Sequence, residues 1–168
     1  MMKNNDNNEK KGILFITHEL DIHGASKMLL QLIDGVSDEY RIYVLTPGLG
    51  MITEILKEKD CEVISKKFYL DVEPKEDTFK SNILWYIRKI RFFLIRKPYN
   101  KKIVKEVSKY VKNNNIKLIH SNSSSISIGI DIAKKTGIKH IWHFREFLKE
   151  DFRLNPIVGW KKYLYKCS

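Results

Sequence analysis

The chain has 168 residues and a mass of 19.9 kDa; 43% of its residues are apolar, 11% aromatic and 30% charged. That supports one packed domain, excludes two well-packed ones, and excludes a wholly disordered chain, because aromatic and branched residues can offset chain entropy. The net charge is +11, and most of it lies in one stretch of the chain.

Met1 to Lys11 is polar and reads as a disordered tail; it contains no apolar core of a secretory signal. Gly12-Ile-Leu-Phe-Ile-Thr-His18 is apolar without alternation, the pattern of a strand covered on both faces. A loop from Glu19 to Gly24 leads to a helix with Met28, Leu29, Leu32, Ile33 and Val36 on one face. Arg41 to Thr46 is a second strand, stopped at Pro47-Gly48, and Met51 to Lys59 a helix turning Ile52, Ile55 and Leu56 inward. Cys61 to Ser65 is a third strand candidate. Two cysteines, Cys61 and Cys167, make no disulfide framework and fit a reducing, cytoplasmic setting.

Phe68 to Asp77 is acidic, contains Pro74 and reads as a loop. Asn82 to Arg96 is an apolar and basic helix that Pro98 should end, followed by a lysine-rich helix from Tyr99 to Asn114. Lys117 to Ser121 is a fourth strand, about Ser125 to Lys135 a helix stopped by Gly137, and Lys139 to Phe144 a fifth strand. Strands alternating with helices through short links predict an α/β fold, a parallel sheet with helices on both faces. The organisation expected is a tail over 1–11 and one domain over 12–168, with a basic helical insertion around 79–114.

Ligands of such sheets collect beyond the carboxyl ends of the strands. Those ends read Thr17-His18, Thr46, His120-Ser121-Asn122-Ser123 and His143-Phe144-Arg145-Glu146. They are rich in hydrogen-bonding groups and carry no metal-ligand spacing, so no metal and no cofactor is expected. Gly24, just ahead of the first helix, would let a ligand approach the first-turn amides, which favour phosphate. The spacing fits neither the dinucleotide-binding fingerprint nor the P-loop.

Gly12 to Val36, Ile119-His-Ser-Asn122 and Ile138-Lys-His-Ile-Trp-His-Phe-Arg-Glu146 together resemble the amino-terminal half of the family-4 glycosyltransferases with two Rossmann-like domains, the GT-B fold. The motifs are loose singly, and their order and spacing carry the likeness. The resemblance implies a Rossmann-like, acceptor-side domain of a retaining enzyme. Such an enzyme moves sugar from a nucleotide-sugar to a glycan or lipid-linked acceptor, as in bacterial cell-surface polysaccharide synthesis. It implies that Gly24 and Ala25 touch the donor diphosphate and that Asn122 and Ser123 line the cleft, where the strand-end residues His18 and His120 are expected as well. The family's usual histidine falls at Arg145 here, so His143, Arg145 and Glu146 share the expected catalytic role. A guanidinium can clamp phosphate and a carboxylate can accept from a hydroxyl. The family's carboxyl-terminal, donor-gripping domain has no counterpart in the sequence, so a fragment with little activity of its own is expected.

Charge adds a second theme. From Phe79 to Lys112 there are eleven Lys/Arg against the single acid Glu106, a net +10 of the total +11. On a helical projection Ile83, Tyr86, Ile87, Ile90 and Leu94 form a stripe expected to face the core. Trp85, Arg88, Lys89, Phe92 and Arg96, with Leu84 and Ile95, are expected on the other side, against an anionic membrane at the inner face of the plasma membrane. No apolar run is long enough to span a bilayer. The rival expectations are a basic nucleic-acid-binding module and a non-catalytic scaffold. The nucleic-acid reading leaves the polar strand ends unexplained, and no nucleic-acid motif is present.

Overall fold

A computed structural model describes residues 10–75 and 78–167. The expected tail over residues 1–9 lies outside the described residues, as do Glu76 and Asp77 of the expected loop. Lys11 already belongs to the fold, because its carbonyl accepts from the Arg41 amide at 3.1 Å.

Five parallel strands form the central sheet: β1 (Gly12–Ile16), β2 (Arg41–Thr46), β3 (Glu62–Ser65), β5 (Ile116–Ser121) and β6 (Lys139–Trp142). Their spatial order is β3-β2-β1-β5-β6. Every residue of β1 is buried, as its unbroken apolar run requires of a strand covered on both faces. Ile13 and Phe15 pack into one layer with Leu29 and Ile33 of α1 (Gly24–Val36) and Ile52 and Leu56 of α2 (Met51–Glu58). Leu14 and Ile16 pack into the other layer, with Val107 and Val111 of α4 (Lys97–Asn113) and Ile132 of α5 (Ile128–Thr136). The result is the Rossmann-like α/β architecture expected from the alternation. Gly137, left-handed at φ 74°, ends α5 where a stop was expected.

Successive strands are added outward from β1 first on one side and then on the other, so the direction of winding switches between the parallel neighbours β1 and β5. The carboxyl end of that pair is the place where an open parallel sheet leaves a crevice. The Asn122 amide donates to the Ile16 carbonyl at 2.9 Å, so the two strand ends stay zipped to the last residue.

Three expectations are corrected. Phe68 to Asp77 is not all loop: β4 (Val72–Pro74) pairs antiparallel with β7 (Leu154–Pro156). Each strand is three residues long and holds a proline, which a two-stranded edge ribbon tolerates and a central strand does not. Pro98 does not end a helix either. α3 (Phe79–Arg91) runs through a π-helical turn at Phe92–Arg96 into α4, with the Lys97 amide donating to the Phe92 carbonyl. Pro98 has no amide for the carbonyl one turn back, and the widened turn takes up that mismatch.

The third correction concerns α3's orientation. Ile83, Tyr86, Ile87, Ile90 and Leu94, expected in the core, are 48% to 73% exposed. Phe92, expected outside, is 2% exposed. Arg88 and Arg96 also turn inward: both pair with Glu73 of β4, and Arg88 donates to the Pro74 carbonyl at 2.7 Å. Trp85 lies on the same inner side, half-buried, with the Lys75 ammonium 5.5 Å from its ring centre. Of the seven residues expected to meet a membrane, Leu84, Lys89 and Ile95 are exposed, whereas Trp85, Arg88 and Arg96 are half-buried and Phe92 is buried.

Candidate functional site

β1 hands the chain to α1 through a short loop whose last turn is locked. Ser26, fully buried, accepts from the His23 amide at 2.7 Å and lies 3.0 Å from the Asp21 carbonyl. The first intrahelical bond is the Lys27 amide to the His23 carbonyl. Helix geometry leaves the amides before it without intrahelical acceptors, at the positive end of the dipole. A Cβ built on Gly24 meets nothing within 4 Å, so the approach to that turn is open.

Across the crevice, the end of β5 enters a serine-rich turn in which Ser121 to Ser125 are all buried. Asn122 joins both sides. Its Nδ2 donates to the Ala25 carbonyl at 3.1 Å, and its Oδ1 accepts from Arg145 Nε at 2.9 Å. Arg145 Nη1 lies 3.2 Å from Met28 Sδ. The guanidinium is therefore anchored beside the first turn of α1. Arg145 and the helix-start residues Gly24 and Ala25, whose amides have no intrahelical acceptor, line one space, an arrangement chemically suited to negative charge.

Glu146 clasps the serine turn. Its Oε1 accepts from the Ser124 amide at 3.0 Å and from the Ser123 hydroxyl, with the Ser124 hydroxyl 2.9 Å away. Trp142 Nε1 donates to the Ser123 carbonyl at 2.8 Å, and the Tyr163 hydroxyl donates to the Ser124 carbonyl at 2.7 Å. Buried backbone groups of an irregular turn are thereby satisfied, as burial demands. α5 begins only at Ile128, later than expected, because this turn occupies the residues before it.

These elements enclose a cavity of about 820 Å³. Its polar wall includes His18, Glu19, Gly24, Ala25, His143 and Arg145, and Ser123, Ser125 and Glu146 add to it. Burial holds His18 below the usual histidine range, against the opposing pull of the Glu19 and Glu146 carboxylates. Burial and the Arg145 charge likewise hold His143 down. Both imidazoles are thus mainly neutral near pH 7, each with one donor and one acceptor nitrogen suited to a hydroxyl. The opposite wall is apolar, made by Leu70 and by Leu148, Phe152 and Leu154 of α6 (Leu148–Phe152) and β7. Among the described residues no group of three or more His, Cys, Asp or Glu is placed to hold a metal ion.

The structure brings His18, Gly24, Ala25, Ser123, His143, Arg145 and Glu146 to this cavity. Asn122 is buried beneath it and acts through its two partners. His120, expected in the cleft, does not line it: it is 5% exposed, packed against Phe15 and beneath His143, with ring centroids 5.2 and 5.6 Å away. Burial, with the charges of His143 and Arg145, holds its pKa down to about 4. His140 faces the other way, to the Ser121 hydroxyl at 3.0 Å. Sequence reasoning missed Glu19 and the apolar wall. Glu19 could have been found from its place beside His18; the α6–β7 wall had no periodic signal to reveal it.

No family model matches the chain, and no curated protein matches it in sequence. Solved structures do match in fold. The Anabaena HepE complex with UDP and glucose superposes with a TM-score of 0.54 at 16% identity, covering 94% of this chain and 34% of HepE. The HepE complex with UDP-glucose gives 0.56 at 15% identity, covering 93% and 33%. A glycosyltransferase from Rickettsia africae gives 0.52 at 14% identity, covering 81% and 30%. The chain spans about a third of the length of these structures. It shares their Rossmann-like fold over that third.

Proposed function

We propose that this chain forms the amino-terminal, acceptor-side half of a nucleotide-sugar-dependent glycosyltransferase. The observation that carries this reading is the Asn122 bridge, which sets Arg145 beside the open first turn of α1 at the sheet's crevice. The fold likeness to HepE, solved with UDP-glucose, supports it.

In this reading the amides at Gly24 and Ala25 and the Arg145 guanidinium take up the charge of the diphosphate as it leaves. Those groups act where negative charge develops, in a partly dehydrated cavity, where they are most effective. The bond from the sugar's anomeric carbon to the donor phosphate oxygen breaks, one to an acceptor hydroxyl oxygen forms, and that hydroxyl's proton passes to the departing diphosphate. Neutral His143 and His18 hydrogen-bond hydroxyls, while Glu146 keeps the serine turn in register. The anomeric configuration is retained. The acceptor is a glycan or lipid-linked sugar of a bacterial cell-surface polysaccharide, and the apolar wall suits an acceptor with an apolar portion. A second domain supplies most of the donor affinity, so this chain alone turns over little.

Saturation-transfer NMR with UDP-, GDP-, ADP- and dTDP-sugars tests the reading. At least one should bind weakly, in the millimolar range, with its affinity reduced about tenfold by Arg145→Ala. Binding to none of them, or identical binding by R145A, overturns it.

A further inference from the structure

The least explained surface of the molecule lies far from the cleft in chain order. Ile83, Tyr86, Ile87 and Ile90 on α3, with Leu94 on the π turn, recur at three- and four-residue steps and are all exposed. Phe93 and Ile95 on the π turn are exposed as well. The opposite side of α3 and the π turn is engaged, with Leu84 exposed at its margin: Arg88 and Arg96 hold Glu73, Trp85 lies under Lys75, and Phe92 is buried. The helix is therefore fixed in rotation, with its most apolar stripe turned to solvent. A contiguous apolar face of this size on a small domain marks an interaction surface.

Charge decides the occupant. No acid occurs from Thr78 to Lys105. Lys80, Lys89, Arg91 and Lys97 are exposed around the stripe, and helical spacing sets Lys80 and Arg91 close beside it. A second copy of this chain would bring a like-charged rim against this one, which opposes self-pairing. An anionic bilayer supplies both complements at once, acyl chains for the stripe and phosphate headgroups for the rim. No helix among the described residues is long and apolar enough to cross a membrane, so the mode is docking in the headgroup plane.

We propose that α3 and the π turn form a docking surface for anionic lipid membranes, with Ile83, Tyr86, Ile87, Ile90 and Leu94 immersed and Lys80, Lys89, Arg91 and Lys97 on the headgroups. This is the face opposite to the one that helical projection alone selects. It stands independently of the sugar-transfer reading.

Flotation with vesicles of phosphatidylcholine, with or without phosphatidylglycerol, tests it at 0.15 M salt. The chain should float with the phosphatidylglycerol vesicles and remain below with pure phosphatidylcholine. The double variant I87D/I90D alters two exposed positions, so its circular dichroism and melting should match the parent, while its partitioning falls about tenfold or more. Lys89→Gln should lower partitioning roughly fivefold, the effect of one basic residue at an anionic surface. Failure to float with phosphatidylglycerol overturns the proposal, as does undiminished flotation of I87D/I90D. Binding to duplex RNA in place of vesicles, or a stable dimer that I87D/I90D splits, overturns it equally.

Discussion

Replacing Asn122 probes the join on which the site depends. Its side chain makes two bonds, a neutral one to the Ala25 carbonyl at 3.1 Å and a charge-assisted one from Arg145 Nε at 2.9 Å. A neutral bond contributes about 0.5–1.5 kcal/mol and one to a charged group about 1.5–3 kcal/mol. With Asn122 1% exposed, water cannot readily replace either partner. Asn122→Ala should therefore cost about 2–4 kcal/mol. At a urea m-value of roughly 2 kcal/mol/M for a domain of this size, the midpoint should fall by about 1–2 M. Asn122→Leu, closer in shape, should lose nearly as much, which separates lost bonds from lost volume. Equilibrium unfolding followed by far-ultraviolet circular dichroism gives the shift. A double-mutant cycle with Arg145→Ala should return a coupling of about 1.5–3 kcal/mol. Additive effects, or an N122L midpoint within about 0.25 M of the parent (roughly 0.5 kcal/mol at that m-value), would show that Asn122 does not hold Arg145.

Gly24→Ala should leave stability unchanged or raise it by about 0.4–1 kcal/mol, since no neighbour lies within 4 Å; its methyl stands beside the first-turn amides, so nucleotide-sugar affinity should drop, and loss of stability with intact binding would contradict the site. Acid should weaken the fold through His120, whose folded pKa of about 4 lies below the unfolded value. Its contribution is complete above the unfolded pKa and lost as pH falls toward 4, about 2 kcal/mol between pH 8 and 5. His140, also held near 4 by burial, adds a smaller loss because it is more solvated. Urea titrations at those two pH values should show the slope, and His120→Phe should reduce it; an unchanged slope in H120F refutes the assignment. Glu146→Ala should free the serine turn, raising amide exchange at Ser124 about tenfold or more as its 3.0 Å bond to Oε1 is lost; unchanged protection would remove Glu146 from that role.

Much of the fold was legible because periodicity reports burial directly. The run Gly12 to Ile16 says that both faces of β1 are covered, and the structure covers both. The strand-end residues His143, Arg145 and Glu146 were legible for the same reason: polar groups following apolar strands mark the sheet's carboxyl edge. What sequence could not supply was direction. The stripe on α3 is plain in the sequence, but which side finds a partner depends on Glu73, in a segment that reads as loop. Arg88 and Arg96 could be seen as inward only once that carboxylate was placed between them. β4 and β7 escaped because two three-residue strands, each with a proline, carry no alternation. His120 looked like a site residue because it ends a strand, yet it shares its layer with Phe15 and lies under His143.

The most direct test is a proton–nitrogen correlation spectrum of the chain titrated in turn with UDP-, GDP-, ADP- and dTDP-sugars, read with whichever binds best. The amides of Gly24 and Ala25 and the side-chain Nε of Arg145 should shift together, saturably, with weaker movement at His18, Ser123 and His143. Shifts absent from those groups, or gathered instead along α3 and α4, would contradict the assignment of this crevice to a nucleotide-sugar.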